Sequence, residues 1–167
     1  MSDDKIQNLI NECKQIQADS EQTAETHHII ARKAGIITFW IKFVPAVTTV
    51  ISAFLLLRGA KIWMAWIALV SGLVTIYNVF SKCEEREREH IFAAKKYIVL
   101  KHESRSLYES FRDHMDEREF YHQVKLLREK YNLLVQFTPP TADEKAFEKA
   151  SERIKKGVHK ADFREQK

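Results

Sequence analysis

Two apolar runs separated by only four residues limit what this chain can fold into. Residues 43–57 and 62–81 contain no charged side chain, and the link between them is Arg58-Gly59-Ala60-Lys61. A helix rises about 1.5 Å per residue, so a bilayer core of about 30 Å needs roughly 20 apolar residues. The second run, with 20 residues, is long enough by itself. The first meets this length by starting near Ala34, because the long stem of Lys42 can carry its ammonium group to the interface.

We therefore interpret the two runs as a transmembrane helical hairpin, with spans at about 34–57 and 62–81. A buried hairpin in a soluble bundle is the alternative, but a soluble helix needs a polar face. Residues 43–57 offer only two threonines and one serine for such a face. Aromatic residues stand near the ends of both spans, as in the aromatic belts of membrane proteins: Trp40, Trp63, Trp66 and Tyr77.

Lysine and arginine near the span ends indicate the orientation. The tip carries only Arg58 and Lys61, whereas the flanks carry many more cations: Arg32, Lys33, Lys42, Lys82, Arg86, Arg88, Lys95 and Lys96. The positive-inside rule then places both termini in the cytoplasm of a multi-pass protein. The first 33 residues are polar and lack the apolar core of a signal peptide. Cys13 and Cys83 are far apart, as expected in a reducing compartment.

Outside the apolar runs, charge is dense and the pattern is helical. Two segments flank the spans with apolar or small residues at heptad spacing, and we expect each to continue its span out of the bilayer. The two extensions would pack antiparallel as a cytoplasmic stalk. The first seam is Ile6, Leu9, Cys13, Ile16, Ser20, Thr23, His27, Ile30 and Ala34, and the second is His90, Ala94, Tyr97, Leu100, Ser104, Leu107 and Phe111.

Two further helices complete an all-α membrane protein. "TPPT" at 138–141 should end the first, because proline cannot continue a helix, and Thr141 is the expected N-cap of the second. We assign 1–137 to a two-transmembrane domain, with 138–167 as a linker and C-terminal helix of the same domain, frayed at its end. The apolar faces are Phe120, Val124, Leu127, Tyr131 and Leu134 in the first helix, and Phe147, Ala150, Ile154 and Val158 in the second.

Small and polar residues share one face of each span, and this face has two interpretations. Small residues let helix backbones approach, and hydroxyl or amide groups bond across helices, so the face can pack the hairpin together. Alternatively, it lines an aqueous path, with Lys42 near the mouth favouring anions. Two spans cannot enclose a pore, so this second interpretation requires a homo-oligomer. The residues are Thr38, Lys42, Pro45, Thr49, Ser52, Ala68, Ser71, Gly72, Thr75 and Asn78.

Motifs of catalysis and cofactor binding are missing from the sequence. There is no HExxH, no Cys and His cluster, no glycine-rich phosphate loop and no Gly-x-Ser-x-Gly. The net charge of +4 is small, and charges of both signs are mixed along the polar helices. These features argue against an enzyme, a bound cofactor or metal, and a nucleic-acid partner.

The chain resembles the SLATT superfamily, the two-transmembrane effector domains encoded beside nucleotide-second-messenger and related bacterial defence genes. The resemblance rests on "HHIIARK", "FWIKFVPAVTTVISAF", "IYNVFSKCEE" and "EREHIFAAKKYIVLKHES", on the break and short helix from Pro139 to Val158, and on Pro45, Asn78, His90, Ala94, Tyr97 and Leu100. It implies a bacterial inner-membrane effector that oligomerises to form a pore or disrupt the bilayer in antiviral defence. It also implies a cytoplasmic sensor or nucleotidyltransferase acting in trans.

Two hypotheses from different classes remain open at this point. One is the membrane-permeabilising effector, and the other is a non-conducting anchor or scaffold whose stalk recruits a cytoplasmic partner. Within the stalk, His27 and His90 fall at a similar height, about 10–14 Å from the expected membrane surface. These two histidines have two possible roles. In one they are ordinary seam residues that pack and hydrogen-bond in the stalk, and in the other their protonation between about pH 5 and 7 loosens the stalk.

Overall fold

The computed structural model describes residues 3–58, 63–80 and 82–157. These residues form helices and their connections with no strand among them, which confirms the all-α expectation for this part of the chain. Residues 59–61 of the predicted tip, which begins at Arg58, and the frayed end with Val158 lie outside the described residues. The helices are α1 (Asp3–Leu57), α2 (Trp63–Phe80), α3 (Cys83–Ser106), α4 (Glu117–Phe137) and α5 (Glu144–Lys155).

The 55-residue helix α1 joins the polar N-terminal segment to the first apolar run without a break. The expected continuity of the helix from the polar segment into the first apolar run is therefore confirmed. Gly35 lies where another chain segment comes close, since a Cβ there would be 2.8 Å from Oε1 of Glu87. Pro45 is accommodated inside the helix, although its ring removes one backbone hydrogen bond.

The second apolar helix does not continue into α3, and the expected uninterrupted extension is wrong here. α2 ends at Phe80, and Lys82 has a left-handed backbone with φ of 50°. The carbonyl of Lys82 accepts a hydrogen bond from the amide of Arg86, so it begins the new helix. Neither glycine nor proline marks this break, which leaves a lysine in a conformation that costs about 1–2 kcal/mol.

The chain divides into two compact units. The polar unit comprises residues 1–30 and 89–167, and the apolar unit comprises residues 31–88. The core of the polar unit joins α1, α3 and α4, and Tyr97 and Phe120 are among its largest buried side chains. The other members of this core include Cys13, Ile16, Leu100, Leu107, Val124 and Leu127.

The second seam departs from its predicted face at one end. Leu107 is buried, but Phe111 is exposed. A π-helical turn at Leu107–Phe111 and a 3-10 turn at Arg112–His114 follow α3. A π turn contains more residues than an α turn, so it rotates the side chains after it away from the seam.

The final helix begins two residues later than expected and packs through smaller side chains. Asp143, not Thr141, is its N-cap, accepting a hydrogen bond from the amide of Ala146. Phe147, expected on the buried face, is half exposed, whereas Ala146 and Ala150 are fully buried against Ile29. Alanine lets the backbone of α5 approach α1 closely, which a hydrophobic pattern based on large residues does not reveal.

Candidate functional site

In the apolar unit, the usual distribution of polar and apolar side chains is inverted. The residues that α1 buries there recur every seven positions: Ala31, Thr38, Pro45 and Ser52. The large apolar side chains of the same helix point outward and are 37–88% exposed, among them Ile36, Phe39, Val44, Val50, Phe54 and Leu57. In α2, Ser71 is buried while its exposed residues include Trp66, Val70, Leu73 and Ile76. Water would disfavour this arrangement, whereas lipid tails would solvate the outer surface.

Hydroxyl groups join α1 to α2 within this unit. The Oγ1 of Thr48 lies 2.5 Å from the Oγ of Ser71, and the hydroxyl of Thr75 donates to the carbonyl of Ser71. Thr48 also bonds to the carbonyls of Val44 and Pro45 on its own helix. The Thr48–Ser71 bond alone crosses between the helices among these four, and in an apolar surrounding it fixes their register, because the alternative is an unsatisfied polar group.

An ion pair closes the other end of the unit. The ammonium of Lys42 donates to the carboxylate of Glu84 at 2.5 Å, and Glu84 also binds the guanidinium of Arg88 at the same distance. These hydrogen bonds, led by that of Lys42, lower the pKa of Glu84. Lys42, at the edge of the apolar run, is thus paired with an acid of α3.

The other residues of the predicted face occupy different surroundings. Thr49 is exposed, and its neighbour Thr48, which the sequence reasoning did not single out, makes the bond to α2. Gly72 is exposed too, and a Cβ there would meet nothing within 4 Å. Thr49 and Gly72 therefore make no contact between α1 and α2 within the single chain, and their predicted role in helix packing or in lining a path stays a prediction. The side chains of Ala68 and Asn78 lie outside the described residues.

A second candidate site lies in the polar unit, where two imidazoles meet. The Nδ1 atoms of His27 and His90 are 2.7 Å apart, and the ring of His27 stacks on that of Tyr97. His27 is fully buried, and its Nε2 has no hydrogen-bond partner among the described residues. A buried ring nitrogen that carries no proton and receives no hydrogen bond costs less free energy than a buried N–H group that has no acceptor. We therefore assign the shared proton to Nδ1 of His27, which donates to Nδ1 of His90.

Burial, then the neighbouring His90 and His28, lower the pKa of His27 from 6.5 to about 4. A protonated His27 would place a charge in the core and an N–H at Nε2, which has no acceptor among the described residues. His27 is therefore neutral at physiological pH. The other seam residues named beside it also lie in this core: Ala94, Tyr97 and Leu100 are 0–2% exposed.

The docking of α5 is held by polar contacts beside its two alanines. The amide of Gln22 donates to the carbonyl of Phe147 and to the hydroxyl of Ser151. Arg153 forms an ion pair with Glu25, which is 3% exposed. The C-terminal helix therefore depends on a buried carboxylate for its attachment to α1.

Among the described residues, one helix contains a stretch long and apolar enough to cross a membrane, and this helix is α1. α2 has 18 residues and no charged side chain. No group of three or more histidine, cysteine, aspartate or glutamate side chains that could hold a metal occurs in the described ranges. A scan against protein-family models and searches of curated proteins and solved structures found no match.

Proposed function

We propose that this chain is a two-span protein of the bacterial inner membrane, with the apolar half of α1 and all of α2 as a transmembrane hairpin. The observation that carries the proposal is the inverted apolar unit. Its surface is formed by isoleucine, valine, leucine and aromatic side chains, and its buried stripe by alanine, threonine, proline and serine. A protein surrounded by water gains nothing from exposing the first set.

The orientation of the hairpin follows from its flanking charges. Eight lysines and arginines flank the two spans, against two at the tip. This imbalance favours both termini in the cytoplasm, together with the polar unit. With so short a tip, signals and partners would reach the protein from the cytoplasm.

We further propose that copies of the hairpin assemble and permeabilise the membrane. One hairpin cannot enclose a pore, and its exposed surface contains small or polar positions, namely Thr49, Gly72 and Thr75, that a second copy can approach closely. The SLATT resemblance supports a non-enzymatic effector role in antiviral defence linked to nucleotide second messengers. A cytoplasmic sensor or nucleotidyltransferase in trans would then supply the trigger.

Reconstitution into liposomes tests this function. We expect purified protein to release an entrapped anionic dye, and Gly72→Leu to change the release at least about tenfold. The open space around Gly72 means that leucine does not disturb the single chain. Val70→Leu, on the exposed lipid-facing surface, is the matched control and should leave release unchanged. Intact liposomes at every protein density, with the protein correctly inserted, would refute permeabilisation.

A non-conducting anchor that recruits a cytoplasmic partner is the second candidate function. It is favoured by exposed apolar side chains outside the apolar unit, including Phe92, Val99 and Leu133. These lie in the polar unit, where charged surface is the rule. Absence of leakage together with binding of a partner at these residues would support this alternative.

A further inference from the structure

A groove runs between α3 and α4 on the surface of the polar unit. Three adjoining depressions of about 440, 460 and 600 Å³ form it, joined through Phe92, Lys96, Val99 and Lys130. We call it the α3–α4 groove. Its exposed apolar side chains are 38–79% accessible: Phe92, Val99, Phe111, Leu126, Leu133 and Phe137.

The apolar lining of the groove is additional to the residues that hold α4 in the fold. α4 packs into the core through Phe120 and Val124, which are 0% and 3% exposed. Leu126, Leu133 and Phe137 form a second apolar face at spacings of seven and four residues. A helix that needs one apolar face for folding but has two carries an interaction surface.

The dimensions of the groove fit a helix. Leu126 and Phe137 are eleven residues apart on α4, which corresponds to about 16 Å or three helical turns. On α3, Phe92 and Val99 stand two turns apart along the opposite wall. An amphipathic helix of three to four turns could place side chains at positions i, i+3 or i+4, and i+7 between these walls.

The charge of the groove selects among possible occupants. Its centre holds Lys95, Lys96 and Lys130 against a single acid, Glu103, which is bonded to Lys130 at 2.9 Å. The centre therefore has an excess of two positive charges. Glu89 lies at one end of the groove, and His102 lies toward the other.

We propose that the α3–α4 groove binds an amphipathic helix of another protein, with acidic residues beside its apolar positions. A second copy in the same bilayer would meet the groove in parallel about a two-fold axis, placing Lys95 and Lys96 opposite their own counterparts. A bilayer surface is flat and cannot fill a concave trough. An acidic helix satisfies both the shape and the charge. The exclusion of a second copy rests on the proposed insertion in the membrane, but the inference holds whether or not the chain permeabilises it.

Two synthetic 18-residue peptides test the proposal on the full chain in phosphatidylcholine nanodiscs. Both carry leucine at i, i+3, i+4 and i+7, flanked in one by glutamate and in the other by lysine. Fluorescence anisotropy should show the acidic peptide binding at least about tenfold more tightly than the basic one. Val99→Asp with Leu133→Asp should weaken binding about tenfold or more, whereas Tyr121→Ser, an exposed site on α4 outside the groove, should not.

Charge reversal separates the proposal from misfolding. Lys95→Glu with Lys96→Glu should reverse the preference, so that the basic peptide binds more tightly, and an unfolded variant cannot produce that result. Equal or absent binding of both peptides would overturn the proposal. Two other results, each without selectivity between the peptides, would also overturn it. One is an oligomer of the chain that Val99→Asp with Leu133→Asp abolishes. The other is binding to added phosphatidylglycerol vesicles that the same double variant abolishes. The first result would assign the groove to a second copy and the second to anionic lipid.

Discussion

The Nδ1 atoms of His27 and His90 lie 2.7 Å apart in the interior of the polar unit, joining α1 to α3 across 63 residues of sequence. One proton fits between them. With that proton on His27, both rings are neutral and the contact is a hydrogen bond. A second proton on His27 would bind Nε2, which has no acceptor among the described residues, and would place a charge in the buried interior.

Acidification should destabilise the fold through His27. The unfolded chain binds a proton near pH 6.5, but the folded chain binds it only near pH 4, so the free energy of unfolding falls between these values. The full loss is roughly 3 kcal/mol. Hydrogen exchange in α1 and α3, corrected for intrinsic rates, should rise over this window. His27→Gln should flatten the dependence, and the exposed His102→Gln should leave it unchanged.

The lowered pKa also moves the pH range for any gating by this pair. The sequence led us to expect an effect between about pH 5 and 7, near the ordinary histidine value. Burial shifts protonation of the folded protein toward about pH 4. Carbon-13 NMR of the imidazoles would measure this value directly, and a His27 pKa near 6.5 would remove the proposed destabilisation.

The C-terminal helix should detach when its ion pair is removed. Arg153 is the partner of buried Glu25, and a pair that is partly exposed on one side contributes about 1–3 kcal/mol. Arg153→Ala should therefore increase proteolysis and hydrogen exchange across α5 while α3 and α4 stay protected. Lys155→Ala, an exposed cation on the same helix, is the matched control. Equal protection of α5 in both variants would show that its two alanines suffice.

Phe120 should be one of the most sensitive core positions. Its side chain is fully buried, and truncation to alanine leaves a cavity that costs about 3–5 kcal/mol. The adjacent Tyr121 is 54% exposed, and Tyr121→Ala should cost less than about 0.5 kcal/mol. Denaturant titration of the polar unit's helicity compares the two. A similar midpoint for both variants would contradict the assignment of the α4 core face.

The Thr48–Ser71 bond should couple α1 and α2. In a double-mutant cycle with Thr48→Val and Ser71→Ala, we expect a coupling free energy of about 0.5–1.5 kcal/mol. Steric trapping in lipid bicelles can measure it. A cycle that replaces Thr48→Val by Thr49→Val should give no coupling, because Thr49 is exposed. Coupling in both cycles would indicate a general loosening of the helices.

Heptad spacing predicted much of the polar unit. His27, His90, Tyr97 and Leu100 were placed on seams by their spacing alone, and all four are buried in the structure. The similar height of His27 and His90 in the two helices could be predicted from the sequence, but the sharing of a proton between their rings could not. That depends on an interatomic distance, which no residue pattern contains.

Four features escaped the sequence because their physical causes are tertiary. The break at Lys82 has no glycine or proline to mark it, and the π turn at Leu107–Phe111 rotates a regular seam. α5 buries Ala146 and leaves Phe147 exposed, against the rule that large apolar residues face inward. Thr48, and not Thr49, makes the bond to α2. The two residues are one position apart, which is a rotation of about 100° around the helix axis.

Side-specific cysteine labelling tests the transmembrane hairpin most directly. In a Cys13→Ala, Cys83→Ser background, we would place single cysteines at Ala60, between the spans, and at Ser110 in the polar unit. A membrane-impermeant maleimide should label Ala60→Cys in intact spheroplasts and Ser110→Cys only after permeabilisation. If Ala60→Cys reacts only after permeabilisation, and as readily as Ser110→Cys, the two apolar helices do not cross the bilayer as proposed.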